Sequence, residues 1–213
     1  MSIIKLIFLA VIAIIVLQFL DNSNQEFDGA IMLPMDTKVV AFGDSITYGY
    51  RVDKDQSYPS QLSTLLQTEV INAGVNGETS QQGLRRLPSV LEKYKPQILI
   101  ICEGGNDILR RRSLVRAKEN IAKMIQLARD KKIFVVLVGV PTTEVLTLST
   151  AQFYHELADE FNVPLEDTAL EDILSDNTLK IDQVHPNEEG YKILSNRLAN
   201  LVTATYTAPL ESF

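Results

Sequence analysis

Cysteine and histidine are almost absent from this 213-residue chain, which has one cysteine and two histidines. The single thiol, Cys102, excludes an intramolecular disulfide and a cysteine-based zinc site. It lies in the apolar run ILIIC, where an inert buried thiol is expected. Two imidazoles, His155 and His185, make a histidine-rich metal site improbable. Positive charge is also short, with 20 Lys and Arg against 27 Asp and Glu and a net charge of −7. That is the wrong sign for neutralising a phosphate backbone and argues against nucleic-acid binding. Internal repeats and low-complexity tracts are missing. So are the phosphate-binding patterns G-x-x-x-x-G-K-[ST] and G-x-G-x-x-G after a first strand. The α/β-hydrolase elbow G-x-S-x-G is absent too, because Gly43-Asp44-Ser45-Ile46-Thr47 ends in threonine where that motif has glycine.

What is present begins with MSIIKLIFLAVIAIIVLQFL, an apolar stretch interrupted only by Lys5 and Gln18. As a helix it would span about 30 Å, the thickness of a bilayer core. A cleaved export signal would look similar, but FLDNSNQEF offers no small-x-small cleavage site and no cysteine follows to carry a lipid. An uncleaved transmembrane helix over residues 1–20 is the expectation, with release after cleavage as the alternative. Lys5 lies on the short N-terminal side of the stretch, and Asp21, Glu26 and Asp28 follow it. The positive-inside rule then places the N-terminus in the cytoplasm and the rest of the chain outside. Residues 21–36 are polar and irregular and read as a tether. Residues 37–207 form the folded domain, and 208–213 a C-terminal tail.

Within the domain, strand-like and helix-like segments alternate. KVVAFG, VIN (70–72), QILIICE (97–103), IFVVLVGV (133–140) and VPL (163–165) read as strands. The segments between them, YPSQLSTLLQ, SQQGLRRLPSVLEKY, LVRAKENIAKMIQLARDKK and AQFYHELADEF, carry helical apolar spacing, and a last helix runs from near Pro186 through YKILSNRLANLV. Five β–α units with continuous apolar strands imply an α/β fold: a three-layer, flavodoxin-like five-stranded parallel sheet with helices on both faces. Ligands of such sheets bind at the carboxyl ends of the strands. The loops leaving the strands are therefore the place to look for chemistry.

Those loops carry GDS (43–45), NAGVNG (72–77), GGND (104–107) and DQVHP (182–186). Alone, Ser45 would read as a helix cap as readily as a nucleophile. A serine hydroxyl needs a base, and His185 is the only plausible imidazole, with Asp182 three residues before it to hold the other ring nitrogen. His155, on AQFYHELADEF, has no loop partner and reads as structural or solvated. The N–H groups of Ser45 and Gly77 and the amide of Asn106 meet the need for oxyanion donors. Asp44 reads as an organiser of its loop through bonds to the backbone.

In this order and placement, GDS, the second-loop glycine, GGND and DxxHP resemble the SGNH (GDSL) hydrolase family over roughly residues 38–203. The stretch VINAGVNGETSQQGLRRLPSVLEKYKPQILIICEGGNDILR is most similar to its bacterial thioesterase I, lysophospholipase L1 and arylesterase branch. The resemblance implies Ser45 as nucleophile, Asp182 and His185 as the base pair, and Ser45, Gly77 and Asn106 as the oxyanion hole. It implies cleavage of carboxylic esters or thioesters through an acyl-enzyme, with no metal or organic cofactor. The expected partner is a small-molecule acyl ester or lysophospholipid, and the expected state a monomer held on a bacterial inner membrane with its catalytic domain facing the periplasm or exterior. A carbohydrate O-acetylesterase is the alternative within enzymes, and a non-catalytic binding module the alternative outside them. Residues 139–150 are expected to shape the acyl groove, with Val145, Leu146 and Leu148 as lining. Arg110 and Arg111, in the basic run DILRRRS, read either as a solvated helix entry or as a substrate-binding rim for anionic groups.

Overall fold

The runs VVAFG, ILIIC and FVVLV have no polar face to offer water, and they occupy the middle of the molecule. In the computed structural model, which describes residues 33–34, 36–144 and 147–206, they form strands β1 (Val39–Gly43), β3 (Ile98–Cys102) and β4 (Phe134–Val138). Every residue of β1 and β3 is buried, as expected of strands covered on both faces. With β2 (Val70–Gly74) and β7 (Leu165–Glu166) they make a parallel five-stranded sheet in the order β2-β1-β3-β4-β7. The chain steps outward from β1 to β2 and then crosses back to β3. The strand order therefore reverses at the carboxyl ends of β1 and β3, the usual ligand crevice of such sheets. The register brings those ends level, with Gly43 beside both Gly74 and Cys102.

Helices cover the sheet because their apolar positions recur at three- and four-residue spacing. Helix α2 (Tyr58–Leu66) packs against the last helix, α8 (Glu188–Tyr206), which buries Tyr191, Leu194, Ser195, Leu198 and Val202. In a second group, α5 (Leu114–Arg129) packs against α3 (Ser80–Tyr94) and α6 (Gln152–Phe161). Ala117, Ile121, Met124, Ile125 and Ala128 of α5 are buried, and each large side chain contributes about 1.5–3 kcal/mol by leaving water. Pro88 lies inside α3 on its exposed side without cutting the helix in two. Short helices α1 (Ser45–Tyr48) and α4 (Gly105–Leu109) follow β1 and β3 directly.

Three features depart from the sequence reading. Residues 139–150, expected as a groove-forming loop, contain an antiparallel hairpin of β5 (Pro141–Glu144) and β6 (Thr147–Thr150). Helix α7 (Ala169–Ser175) was not anticipated; it buries Ala169, Leu170, Ile173 and Leu174 and packs on α8. Leu33, inside the segment read as a tether, is buried in the core. The apolar segment 1–20 and the tail 208–213 lie outside the described residues, as do Val145 and Leu146. Among the described residues no helix is long and apolar enough to cross a membrane.

Candidate active site

Ser45 is placed by glycine. A Cβ on Gly43 would lie 2.2 Å from the Cys102 carbonyl oxygen and 2.3 Å from Thr47 Oγ1, so only glycine lets β1 turn this tightly into α1. Asp44 caps the helix: its Oδ1 accepts a bond from the Ile46 N–H at 3.0 Å. Thr47, the residue that breaks the hydrolase elbow, is fully buried with its hydroxyl 3.0 Å from that of Tyr58. Ser45 thus opens a helix held from below on both sides.

The histidine arrives from the far end of the chain. The segment before α8 folds back on itself, with the Ile181 N–H bonded to the His185 carbonyl and the Asn187 N–H to that of Leu179, both at 2.9 Å. Asp182 Oδ1 accepts the N–H groups of Val184 and His185 at 3.0 Å. Within this turn His185 Nδ1 lies 2.9 Å from each Asp182 oxygen, and Nε2 lies 3.0 Å from Ser45 Oγ. Partial burial pushes the Asp182 carboxyl up, but bonds from the Val184 N–H, the His185 ring and the His185 N–H outweigh it and hold the group below its ordinary range. An ionised Asp182 only accepts, so the neutral ring carries its proton on Nδ1 and leaves Nε2 to receive the serine proton. The Tyr50 ring leans on the imidazole at a centroid distance of 4.6 Å, and Arg51 Nη1 lies 4.0 Å from Asp182 Oδ2. Neither contact has a sequence signal, because each joins segments far apart in the chain.

The second and third loops are tied to this centre. Asn106, in α4, is 8% exposed and its amide donates to Asp44 Oδ2 at 3.0 Å. Asn106 therefore touches the residue next to Ser45. Burial pushes the Asp44 carboxyl up to about 6, with the bonds from Ile46 and Asn106 and the charge of His185 opposing it. Gly77 has φ of +72°, a left-handed conformation that favours glycine. Arg110 Nη2 donates to the Gly77 carbonyl at 3.0 Å, so this arginine spans the two loops. Arg111 is exposed. The buried Asp107 accepts the Ser80 N–H at 2.7 Å, a second brace between the loops. A third lies beneath: Arg86 grips the Glu78 carboxylate, donates to the Ala73 carbonyl at 2.9 Å, and stacks 4.1 Å from the Phe42 ring centroid. Glu103, just before the GGND loop, is fully buried, and neither carboxyl oxygen has a hydrogen-bond partner among the described residues.

Among the remaining expectations, Leu148 is half-buried and packs against the core. His155 is half-buried, 3.9 Å from Asp167. Cys102 is a free, buried thiol, as its apolar run implied. Among the described residues no group of His, Cys, Asp and Glu could hold a metal ion.

A hydroxyl, an imidazole and a carboxylate in one hydrogen-bonded line, at the carboxyl end of a doubly wound sheet, define a serine hydrolase. Residues 41–193 match the GDSL-like lipase/acylhydrolase family, and the chain belongs to that family; it is a serine esterase. It is 30% identical over 168 residues to thioesterase 1/protease 1/lysophospholipase L1 of Escherichia coli K12, covering 76% of this chain and 81% of that protein. An arylesterase of Vibrio mimicus is 32% identical over 163 residues, 72% of this chain and 82% of the arylesterase. Among solved structures, the SGNH-hydrolase family esterase AlinE4 superposes with a TM-score of 0.64 at 31% identity, covering 83% of this chain and all of that one.

Proposed function

We propose that Ser45 attacks the carbonyl of a carboxylic ester or thioester while His185 Nε2 takes its proton and Asp182 stabilises the imidazolium that forms. The observation that carries this reading is the unbroken line from Ser45 Oγ to His185 at 3.0 Å and on to Asp182 at 2.9 Å. The N–H groups of Ser45 and Gly77 and the Asn106 amide receive the developing oxyanion. His185 then gives its proton to the leaving alcohol or thiol, and the acyl-enzyme forms. Water, activated by the same imidazole, releases the acid and restores Ser45. No step requires a metal or organic cofactor.

The substrates are acyl esters of the kind named by the relatives, an arylesterase and a thioesterase that is also a lysophospholipase. The apolar segment 1–20 supports a single-pass anchor with the domain on the periplasmic or outer side, where acyl lipids are at hand. The test is Ser45→Ala against a short p-nitrophenyl ester, together with labelling by a fluorophosphonate probe. Both turnover and labelling are expected to vanish while the fold survives. Retained turnover would remove Ser45 from the chemistry. A series of acyl chain lengths then defines the substrate, a long-chain optimum supporting lipid and activity on acetate alone opposing it. Carbonate extraction of membranes from expressing cells tests the anchor, which predicts a chain that stays with the pellet.

A further inference from the structure

The segment that runs from the last residue of α4 through the connecting turn into the first turn of α5 puts basic and apolar side chains together at the surface. Residues 109–116 read LRRRSLVR, and all eight are exposed. They hold four arginines and no acid in a chain whose net charge is −7. Between and beside the charges stand three bare aliphatic side chains, Leu109 at 57% exposure, Leu114 at 39% and Val115 at 68%. Soluble surfaces scatter such residues singly; here they flank one short turn. Arg111 sits at φ of +51°, and Ser113 caps α5 by accepting the Arg116 N–H at 3.4 Å, so the backbone of the turn is set. Among the described residues none of Arg110, Arg111, Arg112 and Arg116 has a carboxylate within ion-pairing distance.

This turn adjoins the catalytic centre. Arg110 reaches the Gly77 carbonyl, and the Arg112 N–H bonds to the carbonyl of Asp107, the residue after Asn106. Two more exposed apolar side chains lie on the other loops of the site, Tyr48 on the helix that starts at Ser45 and Val75 two residues before Gly77.

We propose that the 109–116 turn docks the mouth of the active site onto an anionic lipid surface, its arginines on the headgroup phosphates and Leu109, Leu114 and Val115 in the acyl boundary. A bilayer bearing anionic lipid is the occupant that answers both halves of the patch. Arginine forks match phosphate oxygens, and aliphatic side chains gain by leaving water among acyl chains. A soluble phosphate compound would give the arginines a partner but leave the three aliphatic side chains wet. The net charge of −7 opposes approach of the chain as a whole to an anionic membrane, and the four arginines of this segment supply the local attraction that opposes it; a neutral membrane offers the arginines no such partner. The inference deepens the esterase reading, since it says how an acyl lipid would be presented to Ser45, but the docking itself does not depend on turnover.

The experiment uses the full chain reconstituted in vesicles of phosphatidylcholine, or of phosphatidylcholine and phosphatidylglycerol in equal parts. Brief trypsin treatment, which cuts after arginine and lysine, reads whether the turn is covered. The exposed Lys131–Lys132 turn at the other end of α5, about 24 Å away, serves as the internal control. Cleavage within 110–116 is expected in neutral vesicles and protection in anionic ones, with Lys131 and Lys132 cut equally in both. Equal cleavage of the 109–116 turn in the two vesicles would overturn the proposal. Protection by soluble glycerol 3-phosphate at the same phosphate concentration would overturn it as well, by assigning the arginines to a soluble ligand.

A second arm measures turnover of a long-chain ester carried in the same vesicles. The ratio of anionic to neutral rates is expected to fall about five-fold for each arginine removed in Arg112→Ser and Arg116→Ser. Leu114→Ser with Val115→Ser is expected to lower the rate on anionic vesicles, and an unaltered rate in either set would count against docking. Hydrolysis of a water-soluble short-chain ester should be unchanged in these variants. Failure of the parent on that soluble ester would sink the esterase reading while the trypsin result still decides the docking one.

Discussion

Asp182 makes three kinds of bond with one carboxylate: to the Val184 N–H, to the His185 N–H and to the His185 ring. All three partners are donors, so an acceptor-only group is required. Asp182→Asn would turn an amide NH₂ toward them or force the ring into the other tautomer, in which Nε2 holds the proton and cannot accept one from Ser45. We expect kcat on a p-nitrophenyl ester to fall by about 10³–10⁴ with KM little altered. A loss confined to KM would show that Asp182 shapes binding rather than the base. Asp182 and His185 were legible in the sequence because they lie three residues apart and have the Ser45 block as their counterpart. Tyr50, Arg51 and the Arg110–Gly77 bond were not legible, since a ring contact or a side chain reaching a carbonyl leaves no mark on residue spacing. Asp44 was half legible. Its helix-capping bond to Ile46 follows from Asp at a strand-to-helix junction, but its bond to Asn106 depends on how β1 and β3 align.

At the scale of elements, legibility followed the strength of the pattern. The buried strands declared themselves as unbroken apolar runs and the long helices by their spacing. The β5–β6 hairpin did not, because PTTEVLTLST has no Gly, Asn or Asp at its turn to separate two strands. Helix α7 has only seven residues and no capping bond from the side chain of Thr168 before it, and it is too short for a period to show. Two substitutions test how the elements hold the site. Pro88 is exposed within α3 and denies Leu84's carbonyl its usual N–H. An interior proline costs about 3 kcal/mol relative to alanine, offset by up to about 1 kcal/mol of restriction on the unfolded chain. Pro88→Ala should therefore raise the free energy of unfolding by about 2 kcal/mol in urea titration, with esterase activity intact; a loss of stability would mean that the ring itself packs usefully. Gly74→Ala acts on the other side. Its Cβ would lie 2.1 Å from the Tyr48 backbone nitrogen, so α1 must move away from β2 and carry Ser45 with it. A shift approaching 1 Å at a nucleophile costs about 10² in rate. The expected result is a drop in kcat of that order, with a stability loss of about 1–3 kcal/mol from overpacking. Normal kcat would show that α1 is not fixed by this contact.

For the molecule as a whole, the balance of acids shifted by folding sets how stability depends on pH. Asp44, raised to about 6 by burial, binds its proton more tightly in the folded chain than in the unfolded one. Its contribution is fully present below about pH 3.8 and is lost as pH rises through about 6. Asp182 works in the opposite sense: its carboxyl is held low, so its contribution is present above about pH 3.8 and is lost as pH falls through its folded value. Glu103 works in the same sense as Asp44. Burial first, and then the carboxylates of Asp44 and Glu78, push it well above its ordinary 4.5, with Arg86 opposing. Neither of its oxygens has a hydrogen-bond partner among the described residues, so ionisation there meets little solvation. The folded chain favours the protonated form of Glu103; its contribution is complete below about pH 4.5 and drains away as pH rises through the folded value. Glu103→Gln removes the titration and keeps a neutral polar group of nearly the same shape. Its amide loses hydration on burial at every pH alike, so the absolute Tm does not decide the matter and the slope does. Thermal melts of both proteins from pH 4.5 to pH 9 should show the difference, variant minus parent, increasing steadily with pH. A difference that stays level across that range would mean that Glu103 ionises at no greater cost folded than unfolded. The proton on this carboxyl, next to Gly104 and the loop of Asn106, would then have no part in holding the site together.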